Sequence, residues 1–336
     1  MRAQIIQQYG DPSAFQFAEV EMPKAADHEV VVRLAATSVN PIDCKTRLGV
    51  GPQHKLPAVL GCDVAGVVTE VGKLVTKFKI GDQVYGCAGG VPGLNGALAD
   101  FIATDPQLLA LKPSSLSLRQ AAALPLVAIT AWEALVTKAN ISAADHILIH
   151  GGTGGVGHIA IQIAKSFGAT VSTTVANNSK ADIARQLGAD HTILYQDSLD
   201  KGRSVENYVD SLTAGKGFDI VFDASGGSDI TKSFQAAKLN GKVVTIVSRY
   251  SADLTLMHQK GLSLHVVFML IPLLHNLDRA RHATILNSIA NLVDSGKLHP
   301  LIDERRFSLD TISEAHRYLE SRQSIGKIVV DIASTI

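Results

Sequence analysis

Residues 146–157 read His-Ile-Leu-Ile-His-Gly-Gly-Thr-Gly-Gly-Val-Gly and place Gly152, Gly154 and Gly157 at the spacing Gly-x-Gly-x-x-Gly. The chemistry open to such a segment is anion binding. Glycine lets a backbone approach a pyrophosphate, and the first turn of a helix offers free N–H groups with partial positive charge. Gly152, Thr153, Gly154, Gly155 and Val156 are the expected pyrophosphate contacts. Glycines also serve ordinary turns, so the motif has weight only between a strand and a helix. That context is present. A short apolar run precedes it, and Val156, Ile159, Ala160, Ile163, Ala164 and Phe167 follow at helical spacing.

A second apolar run, 169–175, reads as the next strand. A site for NAD places Asp or Glu at its end to hold the ribose 2′-hydroxyl. Here the end reads Thr174-Val-Ala-Asn-Asn-Ser-Lys180, with no carboxylate. Asn177 and Lys180 can instead donate to a 2′-phosphate, and Lys180 adds a positive charge. NADPH is the expected cofactor. The plainer alternative makes Lys180 a solvated residue opening the next helix.

The elements that must position these residues follow from pattern. At 336 residues, two domains are expected. The chain to about residue 124 reads as mostly β, with short apolar runs between Gly, Pro and Asp. Residues 121–137 look helical. Strands are then expected at 147–149, 170–174, 192–194, 219–222, 242–247 and 263–269, with helices at 180–187 and 230–239 between them. Six strands joined by crossovers predict an α/β, doubly wound parallel sheet. A helix over 278–295 and a β-like tail ending at Asp331 complete the chain, and the tail is expected to return to the first domain.

Composition narrows the function classes. Lys+Arg and Asp+Glu both number 31, so no basic field invites nucleic acid. The longest strongly apolar stretch, 266–274, contains Pro272 and is too short to span a bilayer. The first ten residues lack a signal-peptide hydrophobic region. Cys44, Cys62 and Cys87 are odd in number and widely spaced, which suits a reducing cytoplasm. The twelve His are scattered, with no His-x-x-x-His pair on an expected helix.

Several motifs stand in order: Val39-Asn-Pro-Ile-Asp43, Gly61-Cys-Asp-Val-Ala-Gly-Val-Val68, Gly81-Asp-Gln-Val-Tyr-Gly86, Ala121-Ala-Ala-Leu-Pro125, Thr130-Ala-Trp-Glu-Ala-Leu135, the glycine turn, Gly188-Ala-Asp190, Val221-Phe-Asp223 and Gly326-Lys-Ile-Val329. Over almost its whole length the chain resembles the medium-chain dehydrogenase/reductase superfamily, in its zinc-free quinone oxidoreductase (zeta-crystallin-like) branch. The resemblance implies a GroES-like β-barrel catalytic domain over 1–122, completed by 271–336. It implies a Rossmann NADP-binding domain over 123–270, with a six-stranded parallel sheet, and an active site in the cleft between the two.

Zinc members carry a Cys just before the Asp of the first motif and a His-Glu pair in the second. This chain has Asn40-Pro41 before Asp43, and Cys62-Asp63 in place of His-Glu. One thiolate and one carboxylate are too few for a tetrahedral site, so no metal is expected. The resemblance then implies NADPH-dependent hydride transfer to a quinone or to the β-carbon of an α,β-unsaturated carbonyl. Both acceptors are already electrophilic.

The expected catalytic residues are Asn40, near the ribose or the substrate carbonyl, and Thr130, near the nicotinamide. Plainer roles are a turn-forming Asn and a hydroxyl bonded to its own helix. Tyr195 is expected near the adenosine, with a core-edge Tyr as the alternative. Ser248, Phe268 and Met269 are expected to line the nicotinamide pocket, although the last two could equally serve a dimer interface. Asp43 and Asp63 are expected to be structural. Lys45, Thr46 and His54 should face the substrate, but none stands out as a proton donor. Residues 263–270 read as an edge strand that would join two subunits into a homodimer. Alternatives are a non-catalytic NADPH-binding protein, an enoyl-thioester reductase and a zinc alcohol dehydrogenase with unusual ligands.

Overall fold

The computed structural model describes residues 1–51, 53–195, 204–225, 230–247 and 251–332. The chain divides into two compact units: Met1–Ile129 with Leu270–Ile336, and Thr130–Met269, which is inserted between them in sequence.

The inserted unit carries a six-stranded, all-parallel sheet. Its strand order is His191–Leu194, Thr170–Val175, His146–His150, Phe218–Asp223, Ala237–Thr245, Ser263–Val266. A parallel sheet must be covered on both faces. Its central strands meet that need with Ile147, Leu148, Ile149, Val171, Ile220, Val221 and Phe222, all buried. Each contributes about 1.5–3 kcal/mol on full burial. The strand order reverses between His146–His150 and Phe218–Asp223. Ligands in such sheets bind at the carboxyl ends of strands beside that reversal.

Three local expectations needed correction. The helix expected over 230–239 stops at Ala236, and Ala237–Thr245 is a strand. Ala237 pairs with Phe218, Asn240 adopts φ 58°, and the Asn240 N–H donates to the Lys260 carbonyl at 2.7 Å. Sheet pairing there overrides the helical propensity of Ala-Lys-Leu. The strand expected over 263–269 ends at Val266, at the sheet's outer edge. The single helix expected over 121–137 is three pieces: Leu118–Ala121, Pro125–Trp132 and a wider turn over Glu133–Lys138. Pro125 opens the second piece, where its missing N–H costs no helix bond. In the third, the Ala139 N–H reaches back five residues to the Ala134 carbonyl at 3.0 Å.

The other unit is built on a seven-stranded sheet. Phe307–Ser308, Ile328–Asp331, Val30–Val39, Asp63–Val71, Gln83–Cys87 and Leu109–Leu111 follow in order, and Phe101–Thr104 pairs with Val30–Val39. A smaller sheet sets Arg2–Ile6 between Phe15–Glu19 and Ala58–Val59. This is the GroES-like arrangement. The central Val30–Val39 strand is rich in β-branched residues and largely buried. The helix Ala280–Asp294 packs His282, Leu286, Ile289 and Val293 inward at helical spacing. Tyr85 donates its hydroxyl to the Leu286 carbonyl at 2.6 Å, which ties that helix to the sheet. Among the described residues no helix is long and apolar enough to cross a membrane.

Candidate active site

Within the inserted unit, the glycine turn leaves the carboxyl end of His146–His150 and enters the helix Gly157–Ser166. The glycines are not equivalent. A Cβ on Gly157 would lie 2.1 Å from the Gly151 carbonyl oxygen, and one on Gly152 would lie 2.2 Å from Thr173 Oγ1. Packing alone therefore demands both. A Cβ on Gly154 would meet only the Gly151 oxygen, at 3.2 Å, and Gly154 is exposed. Its bareness serves the space outside the turn. Gly155 and Val156 are half-buried, and Thr153 is buried. The turn is pinned from the next strand, where Thr174 Oγ1 accepts from the Gly151 N–H at 3.1 Å. This open backbone cradle at a helix N-terminus fits a dinucleotide pyrophosphate.

The strand Thr170–Val175 leads into the helix Asn178–Gln186. Asn177 caps that helix, its side-chain carbonyl accepting from the Lys180 N–H at 2.9 Å. The amide end of Asn177 is left as a donor on an exposed residue. No carboxylate pairs with Lys180 among the described residues. Tyr195 follows the strand His191–Leu194 and is 62% exposed. Thr130, in Pro125–Trp132, is buried. Phe268 is 46% exposed and Met269 is 5% exposed, so of this neighbouring pair one faces outward and the other inward. Ser248 lies outside the described residues.

Sequence reasoning passed over His150. It ends the central strand opposite Asp223, at the reversal point. Burial pushes its pKa down, against the pull of Asp223, and its Nε2 is buried without a hydrogen-bond partner. The signal available was its place immediately before the glycines.

In the other unit, three chain segments converge on a dry polar cluster. Asn40 ends Val30–Val39 and begins the helix Pro41–Arg47, Asp63 begins Asp63–Val71, and Lys327 stands just before Ile328–Asp331. Asn40 is 0% exposed and Lys327 3%. Asp63 Oδ2 accepts from Ser38 Oγ at 2.5 Å and from Asn40 Nδ2 at 2.8 Å. Its Oδ1 accepts from the Leu126 N–H at 2.8 Å, in the first turn of Pro125–Trp132. Lys327 Nζ donates to Asn40 Oδ1 at 2.5 Å and to the Val39 carbonyl at 3.1 Å, and lies 3.7 Å from Asp63 Oδ2. Burial pushes the Lys327 pKa down, opposed by Asp63 and Asp43. Asp43 Oδ2 accepts from the Asn40 N–H at 2.7 Å. Burial, with the nearby charge of Asp63, pushes the Asp43 carboxyl up to about 6.

The three candidates facing the substrate divide. Lys45 is exposed, Thr46 is buried, and His54 is half-buried with Nε2 3.2 Å from the Gly90 carbonyl oxygen. Lys327 was passed over as a site residue. Its signal was a lone lysine beside the apolar run Ile328-Val-Val, because a buried lysine requires a partner.

These donors do not suit a zinc ion. Asp63 is already engaged by three donors with an ammonium beside it. The Cys62 thiol is driven up by its hydrogen bond with Cys87 and by burial. Among the described residues no group of three or more His, Cys, Asp or Glu is placed to hold a metal.

Two family models match the chain: an alcohol dehydrogenase GroES-like domain over residues 26–114, and a zinc-binding dehydrogenase over residues 187–330. The chain is 34% identical to the 2-methylene-furan-3-one reductase of Solanum lycopersicum, across 98% of this chain and 79% of that one. A solved alcohol dehydrogenase superfamily protein from Novosphingobium aromaticivorans superposes with a TM-score of 0.92 at 40% identity, covering 99% of this chain and 100% of the other. The Escherichia coli quinone oxidoreductase, solved with NADPH, superposes with a TM-score of 0.87 at 27% identity, covering 98% and 100%.

Proposed function

Because the chain belongs to the quinone oxidoreductase branch of the medium-chain dehydrogenase/reductase superfamily, we propose that it is an NADPH-dependent, zinc-independent reductase. It acts on quinones or on the double bond of α,β-unsaturated carbonyl compounds. The observation that carries the reading is the open glycine cradle over 152–156 at the point where the strand order reverses, with Lys180 just beyond the end of the neighbouring strand and no carboxylate paired with it among the described residues. A saturated alcohol would need its hydroxyl deprotonated, by a metal or by a general base. The relative named as a 2-methylene-furan-3-one reductase and the quinone oxidoreductase solved with NADPH support the acceptor class and the cofactor.

NADPH supplies hydride from C4 of its nicotinamide. The protein binds, orients and excludes water. The turn over 152–156 receives the pyrophosphate through its N–H groups, and Gly154 leaves room for the approach. The Asn177 amide and the Lys180 ammonium would hold the 2′-phosphate, and Tyr195 would serve the adenosine end. Thr130, Ser248, Phe268 and Met269 serve the nicotinamide end. Asp63 takes one of the two Asn40 Nδ2 hydrogens. With Asn40 fully buried, its amide supports the turn into the helix Pro41–Arg47 rather than meeting substrate directly. Water supplies the proton. Val266, exposed at the end of the outer strand, and Phe268, exposed two residues beyond it, support pairing with a second copy of the chain. Three free, buried cysteines suit a reducing cytoplasm.

The test is oxidation of NADPH and of NADH by chelator-treated protein, against a panel of quinones and enones. Turnover with NADPH, weaker with NADH, is the expected result. Cofactor binding without any turnover would favour a binding protein or a carrier-linked thioester reductase. Activity that vanishes with chelator and returns with zinc would overturn zinc independence.

A further inference from the structure

We propose that His150 is a positioning residue for the dinucleotide, and that it takes up a proton as the cofactor's diphosphate settles on the glycine turn. The proposal rests on the dinucleotide reading of that turn and deepens it. A diphosphate arrives negatively charged. Between His146 and Lys165 the sequence has no Lys or Arg, so the turn offers main-chain N–H groups and a helix N-terminus but no fixed cation of its own. His150 ends its strand and stands immediately before the turn.

Three strands end side by side at this point. Thr174 and Asp223 pair in register with His150, one on each side, so the three side chains share one face of the sheet at its carboxyl edge. His150 Nδ1 lies 3.4 Å from Thr174 Oγ1, and that same oxygen accepts from the Gly151 N–H at 3.1 Å. The Thr174 carbonyl accepts from the Gly152 N–H at 3.2 Å. The state of the ring thus reaches the opening of the turn through one residue. A neutral ring can accept the Thr174 hydroxyl hydrogen at Nδ1, whereas a charged ring donates to that oxygen.

The groups around the ring oppose one another. Asp223 favours its charged form, while burial and Lys232, in the helix Thr231–Ala236, favour the neutral one. The strand Thr170–Val175 has no titratable side chain. The helix Gly157–Ser166 carries His158, whose Nδ1 lies 3.0 Å from the Gly154 carbonyl oxygen, and Lys165, which pairs with Asp190. His150 Nε2 is buried without a hydrogen-bond partner among the described residues, a further cost to a charged ring. The ring is therefore neutral in the free protein. A diphosphate on the turn adds negative charge beside this row and tips the balance towards the charged form. The free ring has the lower pKa and the bound ring the higher. Binding is then tighter at low pH, and the gain is lost as pH rises through the bound-state value.

The test is calorimetric titration with NADH in two buffers of unlike ionisation enthalpy, between about pH 5 and 8. NADH carries the diphosphate but lacks the 2′-phosphate, which itself titrates at about pH 6. The unaltered protein should take up protons on binding. Its Kd should rise about 3- to 10-fold per pH unit, tenfold being the limit for one proton. His150→Gln should bind without uptake and with a Kd that hardly changes with pH. A merely structural histidine would, on removal, weaken binding equally at every pH. Binding of NADH by the unaltered protein with no proton uptake would overturn the proposal, as would uptake that His150→Gln leaves in place.

If His150→Gln fails to fold, two other measurements decide. Asp223→Asn removes the carboxylate that favours the charged ring, and should move the uptake to lower pH. NMR of the unaltered protein with labelled histidine should show one ring pass from neutral to charged as NADH is added. An unmoved profile, or rings of unchanged charge, would overturn the proposal. Failure of both NADH and NADPH to bind would instead strike the dinucleotide reading of the turn.

Discussion

The glycine cradle and the Asn40–Asp63–Lys327 cluster solve opposite problems. The cradle is made of main chain and lies within one run of sequence. It works by having little side chain, and Gly154 is bare and exposed. The cluster is made of side chains from residues 38, 40, 43, 63 and 327 with the main-chain N–H of Leu126, closed to water and held by full-strength hydrogen bonds. The first tolerates solvent and depends on steric room. The second depends on charge balance, because an unpaired charge in a dry site is costly. Steric changes should therefore injure one region and charge changes the other.

The largest effect is expected at Asp63. Asp63→Ala strips the partner from a buried ammonium and should cost about 3–5 kcal/mol in denaturant unfolding. A loss below 1 kcal/mol would show that the cluster is not dry. Asp43 comes next and is read through pH. Its carboxyl goes from 3.8 to about 6 on folding, so the folded state prefers its protonated form. That contribution is present below pH 4 and is lost as pH rises through 6, about 3 kcal/mol at 1.36 kcal/mol per pH unit. Asp43→Asn should hold its stability, relative to the parent, as pH is raised from 4 to 7. Parallel curves for the two proteins would remove Asp43 from the buried charge balance.

Changes in the cradle should be smaller and steric. Gly157→Ala forces a Cβ to 2.1 Å from the Gly151 oxygen and should cost about 1–3 kcal/mol, with loss of NADPH binding by fluorescence titration. Lys180→Ala should weaken NADPH by about 10- to 150-fold, the weight of one charge-assisted bond, and leave NADH unchanged. An equal effect on both cofactors would mean that Lys180 does not read the 2′-phosphate. Gly154→Ala should be the mildest for stability, within about 0.5 kcal/mol, while still weakening NADPH.

These differences also explain what was legible in the sequence. The cradle could be read because its strand, glycines and helix are adjacent, and packing makes Gly152 and Gly157 obligatory. The six strands could be read from apolar runs. The Ala237–Thr245 boundary could not, because Ala-Lys-Leu favours helix locally and only pairing to Phe218 makes it strand. Asn40 was legible as a residue of interest, but its partner was not. Lys327 lies 287 positions away, and nothing in the intervening sequence states that Ile328 will pair with Val39. His150 was hidden for a related reason. Its significance depends on where the strand order reverses, which is a property of the whole sheet.

The late position of Lys327 also bears on synthesis. A ribosome completes the whole Thr130–Met269 unit before it releases the strand that carries the lysine. Until then the nascent chain holds Asp43 and Asp63 without their cation, and the Val30–Val39 strand without its neighbour Ile328–Asp331. A product truncated before Lys327 therefore keeps an open sheet edge and unbalanced carboxylates, the features that make unfinished chains prone to aggregation.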